Sequence, residues 1–204
     1  MEGLWLGIPA FLLALTCHEV AHGYVAKRLG DPTAEELGRL TLNPIKHISM
    51  FGTILFPIML YLAHSPVIFG WAKPVPVDPR YFRNPLRGMM WVGMAGPIAN
   101  FILATIAAAA FWLLKPLMSG QSILLDFVIL FMLVNIVLGF FNLIPIPPLD
   151  GSRIVTGLLP RKLAIEYMKI ERFGFLILFG LLYLGIFRRL IFPFAIRFAE
   201  FLVG

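Results

Sequence analysis

The sequence predicts an all-α fold, a polytopic membrane helical bundle with a re-entrant loop, and three observations carry that expectation. Of the 204 residues, 59% are hydrophobic and 14% are charged, against about 45–50% and about 25% in an ordinary soluble domain. The apolar residues gather in runs, several of them close to the roughly 20 residues a helix needs to cross the hydrocarbon. The basic residues lie between those runs. The excess of 17 Lys and Arg over 11 Asp and Glu therefore reads as membrane topology, with no nucleic acid expected as partner. A chain of this length could not hide so much apolar surface in a water-soluble core. A soluble enzyme, a disordered tail and a disulfide scaffold are all excluded, the last because Cys17 has no second cysteine to pair with.

Each run can be read in order as part of one domain, residues 1–204. The first, about residues 4–26, is long enough to span and is followed by Lys27 and Arg28. It lacks the basic start and small-residue cleavage site of a secretory signal, so it is expected to belong to the mature protein. Residues 50–63 are too few to cross comfortably and are expected to be short or re-entrant. Residues 89–114 and 123–144 are both long enough. Residues 173–187 are marginal, and 190–203 are short and interrupted by Pro193 and Arg197.

Charge decides between two topologies. If residues 50–63 crossed fully, the loops before and after would each carry four basic residues on opposite sides, which orients nothing. If that run re-enters, Lys27, Arg28, Arg39, Lys46, Lys73, Arg80, Arg83 and Arg87 share one side with Arg153, Arg161, Lys162, Lys169 and Arg172. The other side keeps Lys115, Arg188 and Arg189, with Arg197 unassigned. The positive-inside rule selects the second arrangement. It implies a multi-pass protein of the cytoplasmic membrane with its N-terminus outside and its basic loops, together with the site described next, opening toward the cytoplasm.

The first run contains His18-Glu19-Val20-Ala21-His22. Side chains four apart share a helix face about 6 Å apart, so His18 and His22 can clasp one metal ion, and Glu19 can reach an attacking water as general base. A carboxylate at membrane depth costs about 2.5 kcal/mol or more, which calls for a partner or a function. A catalytic zinc site takes three protein ligands and one open position. Val25 and Arg28 stand where the longer HExxHxxGxxH motif has its Gly and third His, so the third ligand comes from elsewhere. Glu35 and Glu36 lie in a polar loop, and His47 and His64 flank the short run.

The favoured third ligand is Asp150, in Phe141-Asn142-Leu143-Ile144-Pro145-Ile146-Pro147-Pro148-Leu149-Asp150-Gly151. Its prolines must end the preceding helix. Broken backbone at membrane depth is tolerated only against protein or a wet cavity, and Asp150 is the one carboxylate this segment offers. The competing reading makes Asp150 the cap of a helix beginning near Ser152.

Together these motifs resemble the site-2 protease family of intramembrane zinc metalloproteases, which pairs HExxH with a distant Asn-x-x-Pro-x-Pro-x-Leu-Asp-Gly, matched here by Asn142 to Gly151. Gly70-Trp71-Ala72-Lys73-Pro74-Val75-Pro76-Val77 and Ala95-Gly96-Pro97-Ile98-Ala99-Asn100 are similar to further blocks of its compact bacterial and archaeal members. The resemblance implies that His18, His22 and Asp150 bind Zn2+, that Glu19 activates water, and that Asn142 steadies the scissile carbonyl or the tetrahedral intermediate. It also implies that the stretch after the first helix is a re-entrant, β-rich loop. There Val75 and Val77 suit an extended edge for a substrate strand, or simply a proline-rich interfacial loop. Gly96, Pro97 and Asn100 read as structural, the small residues allowing close helix packing at the start of the next helix. A PDZ or CBS regulatory domain, present in larger members, is not expected.

The function this implies is hydrolysis of peptide bonds in or near transmembrane segments, with a substrate helix of another membrane protein and the lipid bilayer as partners. The rival readings are an ion or metal transporter and a catalytically inactive scaffold. A transporter predicts paired broken helices, and only one Pro-rich break occurs; a scaffold has no need of Glu19.

Overall fold

Ala10, Ala14, His18, His22 and Ala26 recur every four residues along helix α1 (Glu2–Arg28), and all five are buried. Four-residue spacing keeps them on one face, and the small alanines let neighbouring helices approach closely around the histidines. Trp5, Ile8 and Leu13 are exposed, as suits a face turned to lipid. The helix runs on through Lys27 and Arg28, so those cations form its last turn, where they complement the helix dipole. The computed structural model describes residues 2–64, 70–118 and 122–204; these described residues are 78% helical, with no strand among them.

After α1 comes a single-turn helix, α2 (Thr33–Glu36). A π-helical stretch at Met50–Leu55 then passes directly into helix α3 (Phe56–Leu62). This apolar unit is too short to cross a membrane by itself. The next segment, residues 70–78, has no regular structure, and its backbone is tied down at residues 71, 73, 75 and 78. The Trp71 N–H donates to the Gly52 carbonyl (3.0 Å) and the Lys73 N–H to the His47 carbonyl (2.9 Å). The Val75 N–H donates to Glu19 Oε2 (2.8 Å), and the Asp78 N–H to Asp31 Oδ2 (2.7 Å). The buried Arg39 guanidinium donates to the Lys73 carbonyl at 2.9 Å. Asp31 is fully buried and also accepts from the Thr33 backbone N–H and hydroxyl.

Among the described residues, the β-rich character expected of this loop thus reduces to one anchored segment without strand pairing. The physical reason lies in its sequence: Pro74 and Pro76 have no N–H to offer a ladder, while the donors of residues 71, 73 and 75 go to three different elements. Val75 is buried and its N–H is already engaged, so at this residue the segment does not present the free edge that a substrate strand would need.

Helix α4 (Pro85–Leu114) starts with Asn84 as cap, its side chain accepting from the Arg87 N–H, and it is the hub of the bundle. It packs on α1, on α5 (Ile123–Asn142) and on α6 (Asp150–Leu158). Because α4 begins at Pro85, Gly96, Pro97 and Asn100 lie in mid-helix rather than at its start. Pro97 lies inside the helix without ending it, as prolines do in membrane helices packed among neighbours. Helix α5 ends at Asn142, two residues before the apolar run does, where the Pro-rich segment makes continuation impossible.

Helices α6, α7 (Arg161–Met168), α8 (Glu171–Tyr183) and α9 (Ile186–Val203) complete the chain. Ala104, Ala107 and Ala108 of α4, Met132 and Ile136 of α5, and Phe187, Ile191, Ala195 and Ala199 of α9 form the main buried cluster. α8 and α9 are bent by 74° at a break, where Gly185 takes a left-handed φ of 67°, a conformation open to glycine without steric cost. That break falls earlier than the Arg188-Arg189 pair, which lies inside α9. Among the described residues, three helices are long and apolar enough to cross a membrane, or four if the bent pair counts as one.

Candidate metal centre

One helix and one helix start bring three ligand atoms together. His18 and His22 project from the same face of α1, and their Nε2 atoms lie 3.0 Å apart. Asp150 is the first residue of α6, with its Oδ2 3.0 Å from His18 Nε2 and 3.2 Å from His22 Nε2. All three residues are buried. The sharp stop at Pro145 and Pro147-Pro148 is what turns the chain so that α6 starts beside α1. Asp150 makes no capping hydrogen bond; the cap position is Leu149, so the capping alternative does not describe its carboxylate.

The donor set fits a divalent cation on two grounds. Zinc–ligand bonds of about 2.0–2.1 Å at tetrahedral angles separate ligands by about 3.3 Å, close to the three separations observed. Protonation supplies the second. His22 Nδ1 lies 2.6 Å from the Val92 carbonyl, which can only accept, so Nδ1 carries a proton, and the tautomer this selects for a metal-binding imidazole presents the Nε2 lone pair. Asp150 Oδ2 is buried without a hydrogen-bond partner. A lone pair and a carboxylate oxygen facing inward from a dry site repel one another unless a cation lies between them. Arg153 Nη1 is 3.7 Å from the other oxygen, Oδ1, which leaves Oδ2 for the metal.

The inner wall is α4. At Gly96 an ideal Cβ would lie 2.6 Å from Nε2 of both His18 and His22, so any side chain there would fill the place of the ion. At Gly93 it would lie 3.0 Å from the Asp150 carbonyl, so the helix passes close against the start of α6.

Other residues singled out in the sequence are arranged differently. Glu19 is half-buried, with one carboxylate oxygen, Oε2, held by the Val75 N–H. Asn142 donates from its side-chain amide to the Leu138 carbonyl of its own helix at 3.1 Å, leaving one amide proton for another acceptor. Among the described residues the metal-ligand cluster is His18, His22 and Asp150. Glu35 is exposed and paired with Lys27, and Glu36 is exposed. His47 is bonded to the Thr41 carbonyl, and His64 is exposed. Sequence reasoning missed the part played by Asn100, which is fully buried with Oδ1 2.6 Å from His18 Nδ1. The available signal was an amide within an otherwise apolar run, since polar groups at that depth are costly.

Comparison with known proteins agrees with this geometry. The model of peptidase family M50 matches residues 6–120 and 117–184. YwhC of Bacillus subtilis is 40% identical over 175 residues, covering 83% of this chain and 76% of the relative. Rip2 of Mycolicibacterium smegmatis is 28% identical over 180 residues, covering 87% of this chain and 66% of the relative. MJ0392 of Methanocaldococcus jannaschii is 26% identical over 183 residues, 85% of this chain but 42% of that longer protein. All three carry zinc metalloprotease in their names. No solved structure matches the chain. With buried histidines and an aspartate converging inside a bundle of apolar helices, the chain belongs to peptidase family M50, the zinc metalloproteases of the membrane-embedded site-2 type.

Proposed function

We propose that the protein cleaves peptide bonds in or near transmembrane segments of other membrane proteins, using Zn2+ held by His18, His22 and Asp150. The observation that carries this reading is the convergence of three buried ligand atoms within 4.8 Å of one another. When bound there, zinc polarises the scissile carbonyl and lowers the pKa of water. Glu19 takes the proton from the attacking water and hands it to the leaving amine. Val75 fixes one of its oxygens and leaves the other for that exchange. Asn142 offers its remaining amide proton to the oxygen on which negative charge develops.

A helical substrate has its amides paired and shielded, so it must unwind locally before attack, and helix-weakening residues at the cut favour cleavage. The test uses purified protein and a panel of single-span membrane substrates, including one from the same organism and variants with Gly-Pro or Leu-Leu at the span centre. Expected results are cleavage that a zinc chelator stops and added zinc restores, and faster cutting of the Gly-Pro series. Chelator-insensitive cleavage, or flux of ions through proteoliposomes without any cleavage, would overturn the reading in favour of a contaminant or a transporter.

The orientation follows from charge. In this proposal the N-terminus lies outside, α3 re-enters from the cytoplasmic side, and residues 27–88 and 145–172 face the cytoplasm with their thirteen basic residues. In a Cys17→Ser background, a membrane-impermeant thiol reagent applied to intact cells should label Pro116→Cys and spare Arg83→Cys. Labelling of Arg83→Cys from outside would invert the topology.

A further inference from the structure

We propose that Asn100 and Asn135 are positioning residues for the metal site: a buried amide relay running from the backbone of α5 to His18 sets which nitrogen of that imidazole faces the ion. The inference rests on the zinc reading above and adds to it two residues that touch no substrate and no metal. Both asparagines are fully buried. Asn135 Nδ2 lies 2.8 Å from the Phe131 carbonyl, Asn135 Oδ1 lies 2.8 Å from Asn100 Nδ2, and Asn100 Oδ1 lies 2.6 Å from His18 Nδ1.

The direction of the relay follows from its starting point. A backbone carbonyl only accepts, so the Asn135 atom beside Phe131 must be the amide nitrogen, and the opposite atom must be the carbonyl oxygen. That oxygen in turn requires the nitrogen of Asn100 next to it. Asn100 then has only its oxygen left to face His18. An oxygen there accepts, so His18 Nδ1 must donate, and in the neutral imidazole that binds metal Nε2 is the nitrogen left unprotonated. The orientation of each amide, normally ambiguous by itself, is thus fixed by one carbonyl in α5. His22 needs a single step for the same outcome, because the Val92 carbonyl meets its Nδ1 directly. The two imidazoles therefore present lone pairs from Nε2 by separate routes, and only the His18 route passes through side chains that substitution can alter.

Ligating histidines held by such a partner typically lose 10–100-fold in metal affinity when the partner is removed. A helix-packing role for the same amides predicts something else: a near-isosteric apolar residue would serve in a lipid-embedded bundle. The experiment measures the zinc dissociation constant of the full-length detergent-solubilised protein by chelator competition, with thermal unfolding of the metal-free form recorded alongside. Asn100→Leu should weaken zinc binding by about 10–100-fold. Asn100→Asp, which keeps an acceptor for Nδ1, should recover most of that loss. Asn135→Leu, remote from every ligand, should weaken binding by about tenfold, since Asn100 is then free to turn its nitrogen toward His18.

Zinc affinity within twofold of wild type in folded Asn100→Leu overturns the relay. If Asn100→Leu does not fold, Asn135→Leu carries the same test, and wild-type affinity there overturns it equally. A loss in Asn100→Asp as large as in Asn100→Leu also overturns it, because an acceptor at that place would then be irrelevant. Wild-type protein that binds no zinc after repletion removes the metalloprotease reading and the relay with it, whereas tight binding by wild type and variants alike removes the relay alone.

Discussion

Glu19→Gln should retain about one zinc per chain and lose about 10²–10⁴-fold in turnover, the range that positioned proton transfer supplies. The structure makes this substitution unusually clean. Glu19 is not among the three convergent ligand atoms, so the donor set is untouched. Its one observed hydrogen bond is accepted by Oε2 from the Val75 N–H, and the amide oxygen of glutamine accepts the same bond at the same reach. The anchored segment at residues 70–78 therefore stays in place, and the fold should be unaffected. What disappears is a group able to take a proton from water and give it to an amine. Zinc content by elemental analysis and initial cleavage rates on one substrate, measured on the same preparation, check the two halves together. Turnover equal to wild type would remove Glu19 from the mechanism, while zinc loss would mean that its carboxylate also helps to hold the metal.

Much of the metal centre was legible because its signals are local or compositional. His18 and His22 sit one helical turn apart, and a period read from sequence is enough to put them on one face. Asp150 could be favoured because prolines forbid helix and membrane depth forbids free backbone, so the carboxylate in that break needed an interior to face. The remainder depended on tertiary packing. Nothing in the sequence says that Val75 donates to Glu19, because that contact joins residues 56 apart in the chain. Asn100 looked like part of a packing motif since Gly96, Pro97 and Asn100 form a small-residue block; only the placement of α1 against α4 turns Asn100 toward an imidazole. The bend between α8 and α9 escaped notice for a different reason. The Arg188-Arg189 pair interrupts the apolar pattern more strongly than Gly185 does, yet a glycine can take a positive φ and two arginines in a helix break nothing. The β-rich loop carried over from family resemblance failed on chemistry present in the segment itself, at Pro74 and Pro76.

Asp150→Ala should separate the metal from the fold. Zinc should fall from about one per chain to a small fraction of that, because a site of two histidines lacks the third protein ligand that catalytic zinc centres use. The metal-free form should nevertheless fold, with a stability close to that of wild type without metal. Asp150 is desolvated in a dry site, but its Oδ2 lies 3.0 and 3.2 Å from the two imidazoles and its Oδ1 3.7 Å from the partly exposed Arg153, and for buried ion pairs the desolvation cost roughly offsets the attraction. Its contribution as an acidic residue in the first turn of α6 is about 0.3–1 kcal/mol, a small further loss. Alanine is also a good helix former at the position it would occupy. Thermal unfolding in the presence and absence of zinc gives the measurement: wild type should be raised by zinc and Asp150→Ala should not respond. Ligand binding stabilises by RT ln(1 + [L]/Kd), about 2.7 kcal/mol at a hundredfold excess over Kd, so the two proteins should diverge clearly once zinc is added. A variant that still shifts with zinc would place the third ligand elsewhere, whereas one that unfolds without metal would make Asp150 a structural residue of the Pro-rich turn. The expected pattern, lost response with retained fold, is what a site selected for binding rather than for stability produces.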